Sequence, residues 1–358
     1  MSRRSTEDKT KHTFYYISIL NLISALAVIL LHTNGAFWHY RGGHTWEINC
    51  FIECLGYFAV PIFFMLSGIT LIDYQDRYST KTFLEKRFIK TVIPYIFWSL
   101  FALFFWNVLQ DKNYSTNLLD VYNGIVSQKY INIFWFFPAL FGIYLAIPLF
   151  ASISKEKRLK IFRYLVIVGV VVNTFIPFII NIIKYFFNIS IIWPFNLSVV
   201  AGYLIFPVLG YLLHQHNFTK RERIVVYEFA LLGFLLHFIG TFILSRQDNS
   251  IVSLFKGYTN IPTLSYVSGI FVFFKTAANS KFLQKIKKPL LALQKYSFAF
   301  YLTHFFVMFY IARFLERFSI DSESLIYIPI SFLGTIIGCT LITFLIRKIP
   351  KIGKIILP

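Results

Sequence analysis

Apolar runs of about 20 residues recur from one end of this sequence to the other, each long enough to cross a hydrocarbon core about 30 Å thick. Lipid offers backbone amides no hydrogen-bonding partner, so runs of this length must be helices. The pattern predicts about ten spans, near residues 14–36, 51–72, 91–109, 131–150, 161–183, 195–213, 225–245, 258–274, 295–314 and 325–346. Composition agrees: 57% of the 358 residues are hydrophobic and 14% charged, where a soluble domain carries about a quarter charged. No stretch is polar and long enough to fold as a soluble domain. The expectation is an all-α, polytopic helical bundle in which residues 1–358 form a single membrane-embedded domain.

The formal charge of +19 would suit a nucleic-acid binder, but its distribution rejects that partner. Basic residues cluster before the first span (Arg3, Arg4, Lys9, Lys11) and after the second (Arg77, Lys81, Lys86, Arg87, Lys90). Others follow the fourth (Lys155, Lys157, Arg158, Lys160, Arg163) and the sixth (Lys220, Arg221, Arg223). The rest follow the eighth (Lys275, Lys281, Lys285, Lys287, Lys288, Lys295) and the tenth (Arg347, Lys348, Lys351, Lys354). Alternate connections are poor in Lys and Arg, so about 27 of the 35 basic residues fall on one side, as the positive-inside rule requires of the cytoplasm. Both termini are therefore expected on the cytoplasmic side.

The basic N-terminus and the apolar run after it also describe a signal peptide. The run is longer than an h-region and has no clear cleavage site, which predicts a retained first helix. Cys50 and Cys54 stand four apart, a separation at which a disulfide would strain a helix. With Cys339 they show no metal-type spacing and read as packing residues. The segment 73–90 reads as amphipathic, running into the third span. The outward loop 37–50 carries Trp38, His39, Tyr40, Arg41, His44 and Trp46, a mixture suited either to sugar contact or to an interfacial aromatic belt.

Ionisable groups inside a membrane are costly and mark function. In the first span Asn21 and His32 are eleven positions apart, so they share a face with a rise of about 16 Å. Ser18 extends the stripe, and Thr33, Asn34 and Gly35 follow the histidine. The second span runs inward, which puts Glu53 at about the depth of His32. A carboxylate there needs a partner, and a hydrogen bond from Glu53 to the His32 imidazole would fix its tautomer. Farther along, Pro61 is expected to kink the helix and Ser67-Gly68 returns to nearly the same face. In the ninth span Ser297, Tyr301 and His304 lie at i, i+4 and i+7 on one face. His237 is isolated and reads as a packing residue.

Taken in order, these segments resemble the acyltransferase-three family of bacterial membrane O-acyltransferases, over essentially the whole chain. The first element ends in His32. FAVPIFFMLSGITL (59–72) resembles the family's Phe-Phe-x-x-Ser-Gly stretch, and KRFIKTVIPYIFWSL (86–100) its basic entry into the third helix. INIFWFFPALFGIYLAIPLF (131–150) and SFAFYLTHFFV (297–307) are similar to its Trp-containing fourth and late Tyr-Leu-x-His helices. One position departs. The family has an arginine, ten residues, then the histidine; here that arginine is Asn21, which puts the donor site in question.

The resemblance implies O-acylation of a cell-surface glycan or its lipid-linked precursor, from a cytoplasmic acyl-CoA, with acetyl-CoA as co-substrate. No permanently bound cofactor and no metal is implied. The donor's phosphates would dock near Arg87 and Lys90, and its arm would pass Asn21 and Ser67. His32 would act as general base on a sugar hydroxyl or briefly carry the acyl group, with Glu53 orienting it. Asn34, Trp38, Trp135, Tyr301 and His304 would contact the acceptor. The expected setting is the bacterial cytoplasmic membrane; self-association is left open. Two other classes fit the same features: a transporter or flippase of a glycan precursor, and a non-catalytic subunit of a cell-envelope complex.

Overall fold

The computed structural model describes residues 3–322, 324–350 and 353–358, with side chains described from Tyr15 onward. Lys351 lies outside the described residues, and Arg3, Arg4, Lys9 and Lys11 are described by backbone alone. Seventeen α-helices occur among the described residues, and no strand. They are α1 (Arg3–Thr33), α2 (Gly43–Gly56), α3 (Ala59–Leu71), α4 (Thr80–Arg87), α5 (Ile93–Phe104), α6 (Leu118–Val126), α7 (Phe136–Ala151), α8 (Lys155–Val170) and α9 (Ile176–Phe187). Then follow α10 (Ile205–Gln215), α11 (Lys220–Gln247), α12 (Ile261–Ala277), α13 (Lys281–Lys285), α14 (Lys287–Gln294), α15 (Ser297–Glu316), α16 (Tyr327–Arg347) and α17 (Gly353–Ile356).

Eight helical stretches among the described residues are long and apolar enough to cross a membrane. The predicted eighth span is the 17-residue α12. The sixth differs most from expectation. Its 19-residue apolar run begins as extended chain and two short 3-10 turns, and becomes α-helical only at Ile205, where the 11-residue α10 starts. Pro194 and Gly202 interrupt the run, and Asn173 replaces the missing helical bonds. Its Nδ2 donates to the Leu197 carbonyl (3.0 Å) and its Oδ1 accepts from the Leu197 amide (2.8 Å).

Two chain breaks follow from proline. A π-turn at Phe88–Val92 precedes Pro94, and another at Val171–Phe175 precedes Pro177. A proline ring clashes with the carbonyl four residues back, and widening the turn removes the clash. In the second span the break falls at Tyr57-Phe58, between α2 and α3, and Pro61 stands in the first turn of α3. The connection 73–90 is a 3-10 turn followed by α4, which Ser79 caps by accepting from the Thr82 amide (3.3 Å).

The chain packs as two compact units, residues 1–70 with 153–339 and residues 71–152 with 340–358. In the first, α11 packs along α12, and α1 along α15. A close approach joins α3 to α10: a Cβ on Gly68 would stand 1.9 Å from the Pro207 carbonyl oxygen, and one on Gly210 2.5 Å from that of Met65. Gly68 of the Ser-Gly pair thus serves helix contact, as small residues do in bilayers. The Lys275 ammonium closes the C-terminus of α10, donating to the carbonyls of Leu213, His214 and His216 at 2.6–2.9 Å. A cation there satisfies orphan carbonyls and opposes the helix dipole.

In the second unit, the Trp98 indole donates to the Ile356 carbonyl (2.9 Å), and Arg347 donates to the carbonyls of Leu357 (3.2 Å) and Pro358 (3.1 Å). The first bond seats α17 against α5, and those of Arg347 tie the last two residues to the end of α16.

Candidate active site

His32 ends α1, one residue before the helix stops at Thr33. Its imidazole is half-buried and lies against that of His304, ring centroids 5.1 Å apart and planes inclined at 34°. Near the other end of the same seam, the Gln294 amide donates to Asn21 Oδ1 at 3.3 Å. Positions 21 and 32 therefore meet position 294 at the end of α14 and position 304 in α15, so α1 packs along both helices. Ser24 and Ser297 are also buried, and their hydroxyls have no hydrogen-bond partner.

His304 is fully buried, and its tautomer follows from its neighbours. Nδ1 stands 2.9 Å from the carbonyl oxygens of both Phe300 and Tyr301. A carbonyl can only accept, so Nδ1 carries the proton and donates. In the neutral ring Nε2 is then a lone-pair acceptor, and it has no partner. The i−4 and i−3 carbonyls of α15 themselves hold the ring in this state.

The expected hydrogen bond between Glu53 and His32 does not form. Glu53 instead meets Lys256, Oε1 to Nζ 3.0 Å, with both side chains almost fully shielded. An ammonium outcompetes a neutral imidazole for a buried carboxylate, because only an opposite charge offsets the desolvation of both groups. Glu228, also inside a predicted span, is exposed on α11.

The sequence pattern missed Lys256. It comes from the connection before α12 and turns inward, its Nζ 4.1 Å from the ring centroids of Trp38 and Tyr57 and 5.2 Å from that of Phe37. Aromatic faces stabilise a cation removed from water. The signal was legible: a basic residue set among aromatics, in a connection on the side that is otherwise poor in them, needs a reason. Tyr57 stacks on Tyr258 at 4.2 Å and packs edge-on against His237. His237, read as a packing residue, is buried, its Nδ1 3.2 Å from the Thr263 hydroxyl oxygen.

The residues expected to meet the acceptor or the donor lie in different surroundings. Asn34 is fully buried; its Nδ2 donates to the Asn49 carbonyl (2.8 Å), and its side chain lies beside Glu53. It ties the end of α1 to α2 because the turn after α1 leaves polar groups that need satisfying. Trp46 belongs to α2, not to a loop. It is buried with Phe37, Cys50 and Cys54, and its indole donates to the Phe37 carbonyl (3.0 Å). Cys50, Cys54 and Cys339 are buried thiols outside any disulfide. Tyr301 and His304 are also buried, whereas Trp38 is 52% exposed. Ser67 donates its hydroxyl to the Phe63 carbonyl (3.1 Å).

The remaining expected residues belong to the second unit. The Arg87 guanidinium lies 5.7 Å from the Tyr144 ring and hydrogen-bonds that residue. Both line a cavity of about 580 Å³ whose other walls are almost wholly apolar. Lys90 is exposed in the π-turn, and Trp135, half-buried, ends the 3-10 turn before α7.

An outward-ending histidine backed by a second one of fixed tautomer is a constellation for proton transfer, and the sequence comparisons say on what kind of enzyme. Residues 14–344 match a family of acyltransferase domains, almost the whole chain. The chain belongs to the acyltransferase-three family. No curated protein and no solved structure matches it significantly. The segments that carried the resemblance all lie inside the matched range. This acyltransferase is a multi-pass membrane protein, and its chemistry is to be sought among the residues just described.

Proposed function

We propose that this acyltransferase moves an acetyl group from cytoplasmic acetyl-CoA to a hydroxyl of a cell-surface glycan or its lipid-linked precursor, in the bacterial cytoplasmic membrane with both termini inside. The supporting observation is the half-buried His32 imidazole, which packs against that of His304. In the reaction the sugar oxygen attacks the thioester carbonyl carbon while its proton passes to His32. The carbon–sulfur bond breaks, and the leaving thiolate takes up the proton as CoA. His304 Nε2 is a positioning acceptor for the imidazolium formed on the way. Glu53 does not touch the imidazole; its pair with Lys256 holds the turn that carries Asn34, two residues beyond His32. Arg87 and Lys90 supply positive charge for the donor's phosphates.

The test uses purified protein in lipid nanodiscs with labelled acetyl-CoA. Wild type is expected to bind it, Arg87→Ala more weakly, and His32→Ala as well as wild type but with transfer lowered on the order of 10²–10⁴-fold. A His32→Ala protein that transferred normally would remove the assigned base. A wild type that bound no acetyl-CoA would favour the transporter or scaffold readings.

A further inference from the structure

Two cavities of about 480 Å³ each open in the first unit and share one wall residue, Asn181. The first is lined by the ends of α9 and the connection that carries Lys256. The second lies beneath the extended segment that replaces the sixth predicted span. Each is of the size that holds a small ligand. Lys256 forms part of the first wall, and its ammonium reaches from there to Glu53 and to Trp38, six residues beyond His32.

The lining is polar in a particular way. The side-chain amides of Asn181, Asn188 and Asn196 make no hydrogen bond among the described residues and are exposed. Such groups would be unsatisfied in hydrocarbon, so this surface faces water. Each amide both donates and accepts, matching the double character of a hydroxyl group. Beside them stand two aromatic rings, Trp193 and Phe195, 4.8 Å apart. The Trp193 indole is anchored by donation to the Val172 carbonyl (3.0 Å), which fixes its plane. Neither cavity wall contains a carboxylate, and Lys184 contributes a cation.

From this we infer that the joined cavities are a subsite for the acceptor, taking a hydroxyl-rich carbohydrate chain along Asn181 and Trp193 and leading its reactive end past Trp38 toward His32. The inference rests on the acyl-transfer reading but adds a place that reading did not have. The resemblance put the acceptor against Asn34, Trp38, Trp135, Tyr301 and His304, none of which lines these cavities. Free amides meet sugar hydroxyls, and a fixed aromatic plane meets the apolar face of a sugar ring.

The experiment uses the purified acyltransferase in nanodiscs, labelled acetyl-CoA, and the envelope polysaccharide of its host stripped of esters by mild alkali. Asn181→Ala and Trp193→Ala are each expected to raise the KM for polysaccharide about tenfold with kcat retained, the pattern for lost substrate binding. Acetyl-CoA binding should stay unchanged, and Trp193→Phe should keep near-normal KM. An unchanged KM in both alanine variants would overturn the subsite. So would a parallel loss of acetyl-CoA binding, which would make the cavities part of the donor path. A wild type that binds acetyl-CoA yet forms no ester on the polysaccharide would instead overturn the glycan-acceptor reading, and the subsite with it.

Discussion

Glu53 and Lys256 meet at 3.0 Å with almost no exposed surface, whereas His32, part of the same packed unit, keeps some of its imidazole accessible and faces a second imidazole. The first arrangement balances charge, with two opposite charges and an aromatic cage round the cation, although Glu53 Oε2 makes no hydrogen bond among the described residues. The second is deliberately incomplete, with a lone pair on His304 that nothing in the described structure satisfies. A compensated pair resists change and holds shape. An uncompensated one is where a proton can arrive. The sequence treated Glu53 and His32 as one device, and the structure separates the two tasks.

That contrast breaks first if the ion pair is removed one partner at a time. Lys256→Met or Glu53→Gln should each destabilise the protein by about 3–5 kcal/mol, read as thermal melting in detergent, because one buried charge is left alone. The double variant should recover most of the loss. Melting unchanged in both single variants would mean that the pair does not organise the fold. A smaller effect, on rate alone, is expected at the second cluster. His304→Leu should lower kcat on the order of 10²-fold with acetyl-CoA binding and melting near wild type. His304→Gln, which keeps an acceptor, should recover part of the rate and shift its pH profile; equal losses in both would assign His304 to packing. The smallest effect belongs to Asn21. Its bond to Gln294 is worth about 0.6 kcal/mol by the average for such contacts between membrane helices. Asn21→Ala should therefore change donor binding by less than about threefold; a larger loss would place the donor directly on Asn21.

The helical, multi-pass architecture could be read from apolar run length, because lipid permits no other use for such runs. The His32 stripe was likewise visible, since helical periodicity alone brings Asn21 and His32 to one face. His304 was visible as part of a stripe, but its tautomer was not, because that depends on how two backbone carbonyls of α15 meet the ring. Lys256 stood out only by composition, as a basic residue in a connection on the side poor in them; a loop lysine carries no periodicity, so its inward turn and its pairing with Glu53 appear only in the folded chain. The sixth span misled for a related reason. Hydropathy averages over Pro194, Asn196 and Gly202, while the backbone responds to each of them singly.

That short helix bears on how the chain is made. Eleven residues rise about 17 Å, little more than half the hydrocarbon thickness. Such a segment is too short to enter the bilayer unaided as it leaves the ribosome. The helix it needs, α3, precedes it by more than a hundred residues, and the contact at Gly68 and Gly210 gives it a protein surface to settle on. Its carbonyl end stays open until Lys275 has been synthesised, some sixty residues later. Biogenesis of this acyltransferase therefore passes through a stage in which α10 rests on the earlier helices α3 and α8 with its carbonyl end unfilled, and the emergence of α12 completes it.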